Sequence, residues 1–105
     1  MVMRRAEVWW AELPPPAGRR PVVIVSREKA VQVRSAVIAA QVTTMVRGIP
    51  TEVPLGTEEG LPRPCVANAD VLFTVDKVRL TERAGELSRE KSRALDEALR
   101  FALGL

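Results

Sequence analysis

The 105-residue chain carries 16 Lys and Arg residues against 13 Asp and Glu residues, a net charge of +3, and 47% of its residues are hydrophobic. These values predict a single small domain, 1–105, with one hydrophobic core. They exclude a disordered or fibrous protein, and no apolar run reaches the ~18 residues that a membrane span needs. The slight excess of positive charge favours an anionic partner.

The histidine and cysteine content restricts the possible chemistry. The chain has no histidine, which removes every histidine-assisted catalytic triad and the commonest metal ligand. Its one cysteine, Cys65, excludes an intrachain disulfide and a thiolate zinc cluster, and we expect it to be a small buried residue. The basic residues 1–5 are not followed by the apolar segment of a signal peptide, so we expect a cytoplasmic protein.

The N-terminal part of the chain predicts short β-strands separated by a Pro/Gly-rich loop. Residues 7–13 are rich in strand formers and precede the loop at 14–18. The continuous apolar run at 21–26 predicts a second strand that is buried on both faces, and 27–30 predicts a helical turn.

The middle of the chain continues this pattern. We predict a strand at 37–42, a loop at 45–50, an edge strand at 51–55 and a turn at 56–62. Pro54 limits its strand to an edge position because it cannot donate a ladder hydrogen bond. The carboxylates of Glu58 and Glu59 are expected to be solvated in the turn.

The second half begins with strands and ends in a helix. Residues 65–75 predict a strand pair or one long bent strand, 77–80 a short strand, and Gly85 a turn. Helical periodicity follows, with leucines at Leu95, Leu99 and Leu103. The pattern predicts a mainly β fold, a small antiparallel barrel or sandwich, with a C-terminal helix packed on it.

Local signals mark the two ends of this C-terminal helix. Ser88 is the expected N-cap, and Gly104 is expected to end the helix. Asp96 and Arg100 have the spacing of an i,i+4 ion pair.

The tetrapeptide Gly18-Arg19-Arg20-Pro21 is the strongest candidate for an anion site. Pro21 fixes its own φ and restricts Arg20 to extended geometry, so a forked, permanently charged donor is held at the start of a strand. If the second and third strands pair antiparallel, Arg20 lies beside Thr43 and Thr44 at one end of the sheet. A guanidinium and a hydroxyl would then share one anion, although such threonines also commonly cap the following loop.

Several segments carry a family resemblance, in order and with compatible spacing. They are 7–13, 18–26, 42–53 and 68–80, together with Gly-Leu-Pro at 60–62 and the closing helix. The chain resembles the MazF/PemK/Kid toxins of bacterial toxin-antitoxin systems over nearly its whole length. The resemblance implies a homodimeric SH3-like barrel of the PemK/CcdB type. It also implies a metal-independent, sequence-specific endoribonuclease that cleaves single-stranded RNA (mRNA) without a cofactor and is inhibited by a MazE-like antitoxin.

The resemblance also implies residue roles. Arg20 holds the position of the family's catalytic arginine, and Thr44, with Thr43 beside it, matches the threonine that assists at the phosphate. Asp70 stands where some members use an aspartate, and Asn68 replaces the arginine that precedes it in those members. Further residues expected to bind RNA are Arg19, Arg47 and Ser26.

RNA can be cleaved without a metal because its own 2′-hydroxyl attacks the adjacent phosphorus, leaving a 2′,3′-cyclic phosphate and a 5′-hydroxyl. Arg20 suits stabilisation of the phosphorane, and the Thr44 hydroxyl can donate to a non-bridging oxygen. The general base stays open between Arg20, Asp70 and water.

Two other functions are compatible with such a barrel. One is a non-enzymatic gyrase poison like the CcdB proteins, but those end in Trp-Gly-Ile whereas residues 101–105 read Phe-Ala-Leu-Gly-Leu. The other is a non-catalytic nucleic-acid-binding SH3-like module.

Overall fold

The computed structural model describes residues 2–105, which form six strands, two α-helices and two 3-10 turns. In chain order these are β1 (Glu7–Glu12), β2 (Arg19–Ile24), α1 (Glu28–Val33), β3 (Ala36–Thr43), β4 (Glu52–Leu55), a 3-10 turn (Thr57–Glu59), β5 (Cys65–Asp76), a second 3-10 turn (Lys77–Arg79), β6 (Leu80–Glu86) and α2 (Arg89–Leu103). No helix within this range has the length and apolar character that a membrane crossing requires.

All six strands belong to one antiparallel sheet with the order β4-β5-β3-β2-β1-β6. The sheet is curled into a half-barrel, and the mainly β fold with a C-terminal helix is confirmed. β4 lies at an edge, as Pro54 predicted. β5 is one long bent strand: Ala40 pairs with Leu72 whereas Gln41 pairs with Asn68, so residues 69–71 bulge out of the ladder.

The buried side chains form two clusters, one on each face of the sheet, where composition predicted one core. Val8 and Val23 lie in a cluster that is covered by Leu95 of α2. Their chain neighbours Trp9 and Val22 lie in the other cluster. Because successive residues of β2 enter opposite clusters, the predicted burial of this strand on both faces is confirmed.

Two predictions near the end of the sheet are wrong. Residues 77–79 form a 3-10 turn, and the strand begins only at Leu80. Gly85 lies within β6 and makes no turn. Glycine is required there by close packing, because a Cβ at this position would lie 2.5 Å from the carbonyl oxygen of Glu59.

The ends of α2 are confirmed. Ser88 Oγ accepts a hydrogen bond from the backbone N–H of Lys91 at 3.1 Å, and Gly104 ends the helix with a left-handed φ of 72°. The predicted pairing of Asp96 with Arg100 is wrong: Asp96 pairs with Arg5 at 3.0 Å, since the N-terminal segment passes beside the helix. Arg100 pairs instead with Glu97, one position closer.

Glu59 is the clearest departure from the sequence prediction in the turn at 56–62. It is 1% exposed, where solvation was expected. Its carboxylate accepts the Gly56 N–H at 2.7 Å and pairs with the Lys91 ammonium at 2.8 Å. These two partners compensate the charge of the buried carboxylate and fasten the turn to the first residues of α2.

Candidate active site

The pairing of β2 with β3 builds the candidate site. The two strands are antiparallel, as predicted, and Val22 lies opposite Gln41. Arg20, two residues before Val22, therefore faces Thr43 at the same end of the sheet. Both residues lie on the wall between two neighbouring clefts.

The larger depression, the Phe73 cleft, measures about 470 Å³. Beside Arg20 and Thr43, its wall includes Gln41, Val71 and Phe73. The smaller one, the Arg63 cleft, measures about 150 Å³. It adds Trp10, Thr44 and Arg63 to the shared pair. The predicted meeting of the arginine with both threonines is thus present in the Arg63 cleft.

Arg20 is exposed, and the protein binds one of the three nitrogens of its guanidinium group. Its Nε donates to the carbonyl oxygen of Ala17 at 2.9 Å, which fixes the guanidinium plane against the proline-rich loop. Within residues 2–105 no carboxylate lies within ion-pair distance of it. Its two terminal nitrogens are therefore available to an anion, and such a fork suits phosphate oxygens.

The two threonines differ in their surroundings. Thr43 Oγ1 accepts the backbone N–H of Met45 at 3.1 Å, so this hydroxyl caps the loop that follows β3 and keeps its own proton for a ligand. Thr44 is exposed just beyond the end of the strand. Thr43 faces both clefts, and Thr44 only the smaller one.

Arg19 is held by carboxylates, although the sequence predicted RNA binding for it. Its guanidinium pairs with Glu12 at 3.0 Å and with Glu82 at 2.6 Å, and it lies 4.9 Å from the ring centroid of Trp10. The hydrogen bond to Glu12 is the main cause that raises the pKa of Arg19. The structure therefore does not leave this charge free for an anion.

Asp70 lies in the bulge of β5, and Asn68, which pairs with Gln41, lies just before it. Thr51 Oγ1 donates to Asp70 Oδ2 at 2.9 Å, and Asn68 Oδ1 accepts the Asp70 N–H at 2.9 Å. Asp70 is exposed while Thr51 and Asn68 are buried. The buried Thr51 thus fixes the orientation of the Asp70 carboxylate. The next residue, Val71, lines the Phe73 cleft.

The other two predicted RNA-binding residues line neither of the two clefts. Arg47 is in the exposed loop after β3, where the Glu52 carboxylate accepts the backbone N–H groups of Arg47 and Gly48 at 2.9–3.2 Å. Ser26 follows the opposite end of β2; it is 8% exposed, and its Oγ accepts the Ile38 N–H at 2.7 Å. The structure does not bring Ser26 to the two clefts.

The site contains residues that the sequence did not single out. Gln41 and Arg63 line the clefts although neither lies in a segment that carries the family resemblance, and Phe73, which lies in the segment 68–80, had no predicted role. A signal for Arg63 was present, because Pro64 restricts it to extended geometry just as Pro21 restricts Arg20.

Cys65 lies below the Arg63 cleft and is 6% exposed, as predicted. Burial raises the pKa of its thiol, and the nearby carboxylate of Glu59 adds to the shift while Lys91 opposes it. Across residues 2–105, no three His, Cys, Asp or Glu side chains converge to form a metal site.

Comparison with known proteins places this geometry in a family. Residues 4–103 match the family described as PemK-like, MazF-like toxin of type II toxin-antitoxin system. The endoribonuclease MazF6 of Mycobacterium tuberculosis is 39% identical over an alignment of 114 positions that covers the whole of both chains. The solved M. tuberculosis toxin MazF-mt6 is 34% identical with a TM-score of 0.86, covering 94% of this chain and 97% of that one.

A second solved structure is an endoribonuclease in complex with its cognate antitoxin from a mycobacterial species. It is 32% identical with a TM-score of 0.87, covering 99% of this chain and 97% of that one. Agreement in sequence and in fold thus extends over nearly the whole chain. The chain belongs to the PemK-like, MazF-like toxins of type II toxin-antitoxin systems.

Proposed function

We propose that residues 1–105 form a single toxin domain that cleaves single-stranded RNA, with the scissile phosphate bound between Arg20 and the two threonines. The observation that carries this proposal is the position of Arg20, whose unpaired guanidinium shares two cleft walls with Thr43. The relative MazF6 is named an endoribonuclease, which supports the same activity here.

The proposed reaction uses groups of this chain and solvent water. The 2′-oxygen forms a bond to phosphorus as it loses its proton to a base of the protein, and the bond from phosphorus to the 5′-oxygen breaks as that oxygen takes a proton from solvent water. Arg20 stabilises the additional negative charge of the phosphorane, and the hydroxyls of Thr43 and Thr44 donate to the non-bridging oxygens. The products are a 2′,3′-cyclic phosphate and a 5′-hydroxyl.

We assign the proton acceptor to Asp70. Its carboxylate is exposed beside Val71, a wall residue of the Phe73 cleft, and the hydrogen bond from Thr51 holds it in one orientation. Asn68 supports this arrangement through the Asp70 backbone. Arg47, in the loop after β3, is assigned to a phosphate farther along the RNA.

The proposed partners are a cognate antitoxin and a second copy of the chain. One solved relative is in complex with its cognate antitoxin, and an antitoxin with an acidic segment would neutralise the unpaired Arg20. Ile38 of β3 and Val71 of β5 are 45% and 40% exposed, and such exposed apolar side chains favour burial in a homodimer. Because mRNA is the proposed substrate, we place the protein in the cytoplasm.

The test is incubation of the purified protein with a long single-stranded RNA in the presence of EDTA, followed by mapping of the new ends. Wild type is expected to give 5′-hydroxyl and 2′,3′-cyclic phosphate ends at a recurring sequence, and Arg20→Ala is expected to form them far more slowly. A protein that leaves RNA intact but inhibits DNA gyrase would show the poison function instead. Tight RNA binding without cleavage would show a binding module.

A further inference from the structure

We propose that Arg63 is a second phosphate-binding residue of this toxin and holds the RNA phosphate adjacent to the one at Arg20. The inference rests on the proposed function, because it assigns a role in binding the same RNA. It concerns a residue that no motif of the sequence identifies.

The charge of the Arg63 cleft is the first argument. Arg20 and Arg63 are the two charged side chains of its lining, and the remaining residues are apolar, hydroxyl or thiol groups: Trp10, Pro21, Val42, Thr43, Thr44, Leu61, Pro62 and Cys65. Like Arg20, Arg63 has no carboxylate within ion-pair distance among residues 2–105. Two uncompensated guanidinium groups at one small cleft repel each other until an anion lies between them.

The backbone around Arg63 is the second argument. Pro62 and Pro64 flank it, and both restrict the backbone and remove an N–H donor. Leu61 and Cys65, on either side of this triplet, are 3% and 6% exposed, so both ends of the segment are fixed in the core. The exposed arginine therefore extends from a stiff support rather than from a mobile loop.

The turn before this segment is fixed just as firmly. Gly60 packs so closely on β6 that a Cβ would lie 1.9 Å from the Ala84 carbonyl oxygen. The buried Glu59 binds Gly56 and Lys91, as described above. A binding residue on a support of this kind loses little conformational entropy when RNA arrives.

The position of Arg63 distinguishes its role from that of Arg20. Arg20 and Thr43 face both clefts, whereas Arg63 faces only the smaller one. An RNA strand with its scissile phosphate on the shared wall continues through the Arg63 cleft, where its next phosphate meets Arg63. Removal of Arg63 should therefore weaken RNA binding and leave the chemical step intact.

The experiment compares Arg63→Ala and Arg63→Lys with Arg93→Ala, which removes one exposed charge from α2 that has no ion-pair partner among residues 2–105. The RNA is a sequence that wild type cleaves, and its fully 2′-O-methylated form serves as an uncleavable probe for Kd at several salt concentrations. For Arg63→Ala we expect KM and Kd to rise roughly tenfold, as for one lost charged contact, with kcat within about twofold of wild type.

The salt dependence is the decisive readout. The slope of log K against log salt should become shallower by about 0.7 for Arg63→Ala, the value for one phosphate contact on a single strand. Arg63→Lys should keep the wild-type slope, and Arg93→Ala should match wild type in both Kd and slope.

Three results would overturn the inference: an unchanged slope and Kd for Arg63→Ala, an equal effect of Arg93→Ala, or a loss confined to kcat. Circular dichroism and the Tm of each variant identify a folding defect. If the alanine variant is unstable, Arg63→Gln removes the charge but keeps a long polar side chain, and it should show the same shallower slope. A wild-type protein that cleaves no RNA would refute the proposed function itself, which is a separate outcome.

Discussion

Arg19 and Arg20 are consecutive residues of β2, yet the carboxylates of Glu12 and Glu82 bind Arg19, whereas the one hydrogen bond of the Arg20 side chain within residues 2–105 goes to the carbonyl oxygen of Ala17. Neighbouring residues of a strand point to opposite faces, so the two guanidinium groups have different surroundings. One charge is neutralised by the protein, and the other is left for a ligand.

This difference predicts opposite results for two similar variants. Arg20→Ala should lower kcat for RNA cleavage by roughly 10²–10³, the effect of removing one preorganised donor to developing charge. Arg20→Lys should recover little of it, because an ammonium lacks the forked geometry. Arg19→Ala should keep kcat within about threefold of wild type, since its ion pairs are exposed and weak. Equal losses for the two alanine variants would contradict the assignment.

The role of Asp70 can be tested by Asp70→Asn, which keeps the size of the side chain but cannot accept the 2′ proton. We expect kcat to fall by about 10² with little change in KM, as for the loss of a general base. Asp76→Asn, at the exposed end of the same strand, is the matched control. A change in KM alone would make Asp70 an RNA contact, and an unchanged kcat would leave proton removal to water.

The part of the site that is formed by neighbouring residues in the sequence could be predicted from local sequence patterns. The apolar run 21–26 predicted the strand, Pro21 predicted the fixed geometry of Arg20, and antiparallel pairing placed the threonines beside it. Long-range packing determined the rest. Arg63 reaches the cleft only because the turn before it packs against β6, and a sequence pattern contains no such information.

The same reason explains the errors at Glu59 and Asp96. Each was interpreted from its neighbours in the chain, as a solvated turn residue and as half of a helical ion pair. In the fold each is bound by a residue far away in sequence, Lys91 and Arg5 respectively. In both cases the fold brings a distant residue into contact with the carboxylate, and this contact replaces the one predicted from the local sequence.

The buried Glu59 carboxylate makes the chain sensitive to the loss of Lys91. Lys91→Met should lower the free energy of unfolding by about 2–3 kcal/mol, because it leaves a charge that is 2% exposed without its counter-charge. Glu59→Gln combined with Lys91→Met should recover part of this loss. Lys29→Met, at an exposed lysine that forms no ion pair within the described range 2–105, is the control and should change stability by less than about 0.5 kcal/mol. Urea unfolding measures all three, and equal effects of the two lysine variants would refute the argument.

Two glycines with positive φ should respond very differently to alanine. Gly48 has a φ of +70° and open space around it. Gly48→Ala should therefore lower the free energy of unfolding by only about 1–2 kcal/mol, the cost of holding alanine in this backbone conformation. Gly60 has a similar φ of +80°, but its added Cβ would collide with the Ala84 carbonyl, so Gly60→Ala should lose more than about 3 kcal/mol or fail to fold. Thermal unfolding of the two variants measures the difference. Similar Tm values would mean that the turn before Arg63 is not fastened to β6.

The raised pKa of Cys65 predicts how stability depends on alkaline pH. The folded state keeps the thiol protonated above its ordinary pKa of 9.0, whereas the unfolded chain releases the proton there. The folded state then binds more protons than the unfolded one, so the free energy of unfolding falls as the pH rises through 9.0, by up to ~1.4 kcal/mol per pH unit. Below that pH the stability contributed by the protonated thiol is fully present.

Urea unfolding of wild type and Cys65→Ala between pH 7 and 10.5 isolates the thiol, because every other titrating group is common to both. The two stability curves should run parallel at pH 7–8 and converge above pH 9; curves that stay parallel throughout would show that the thiol ionises freely in the folded state.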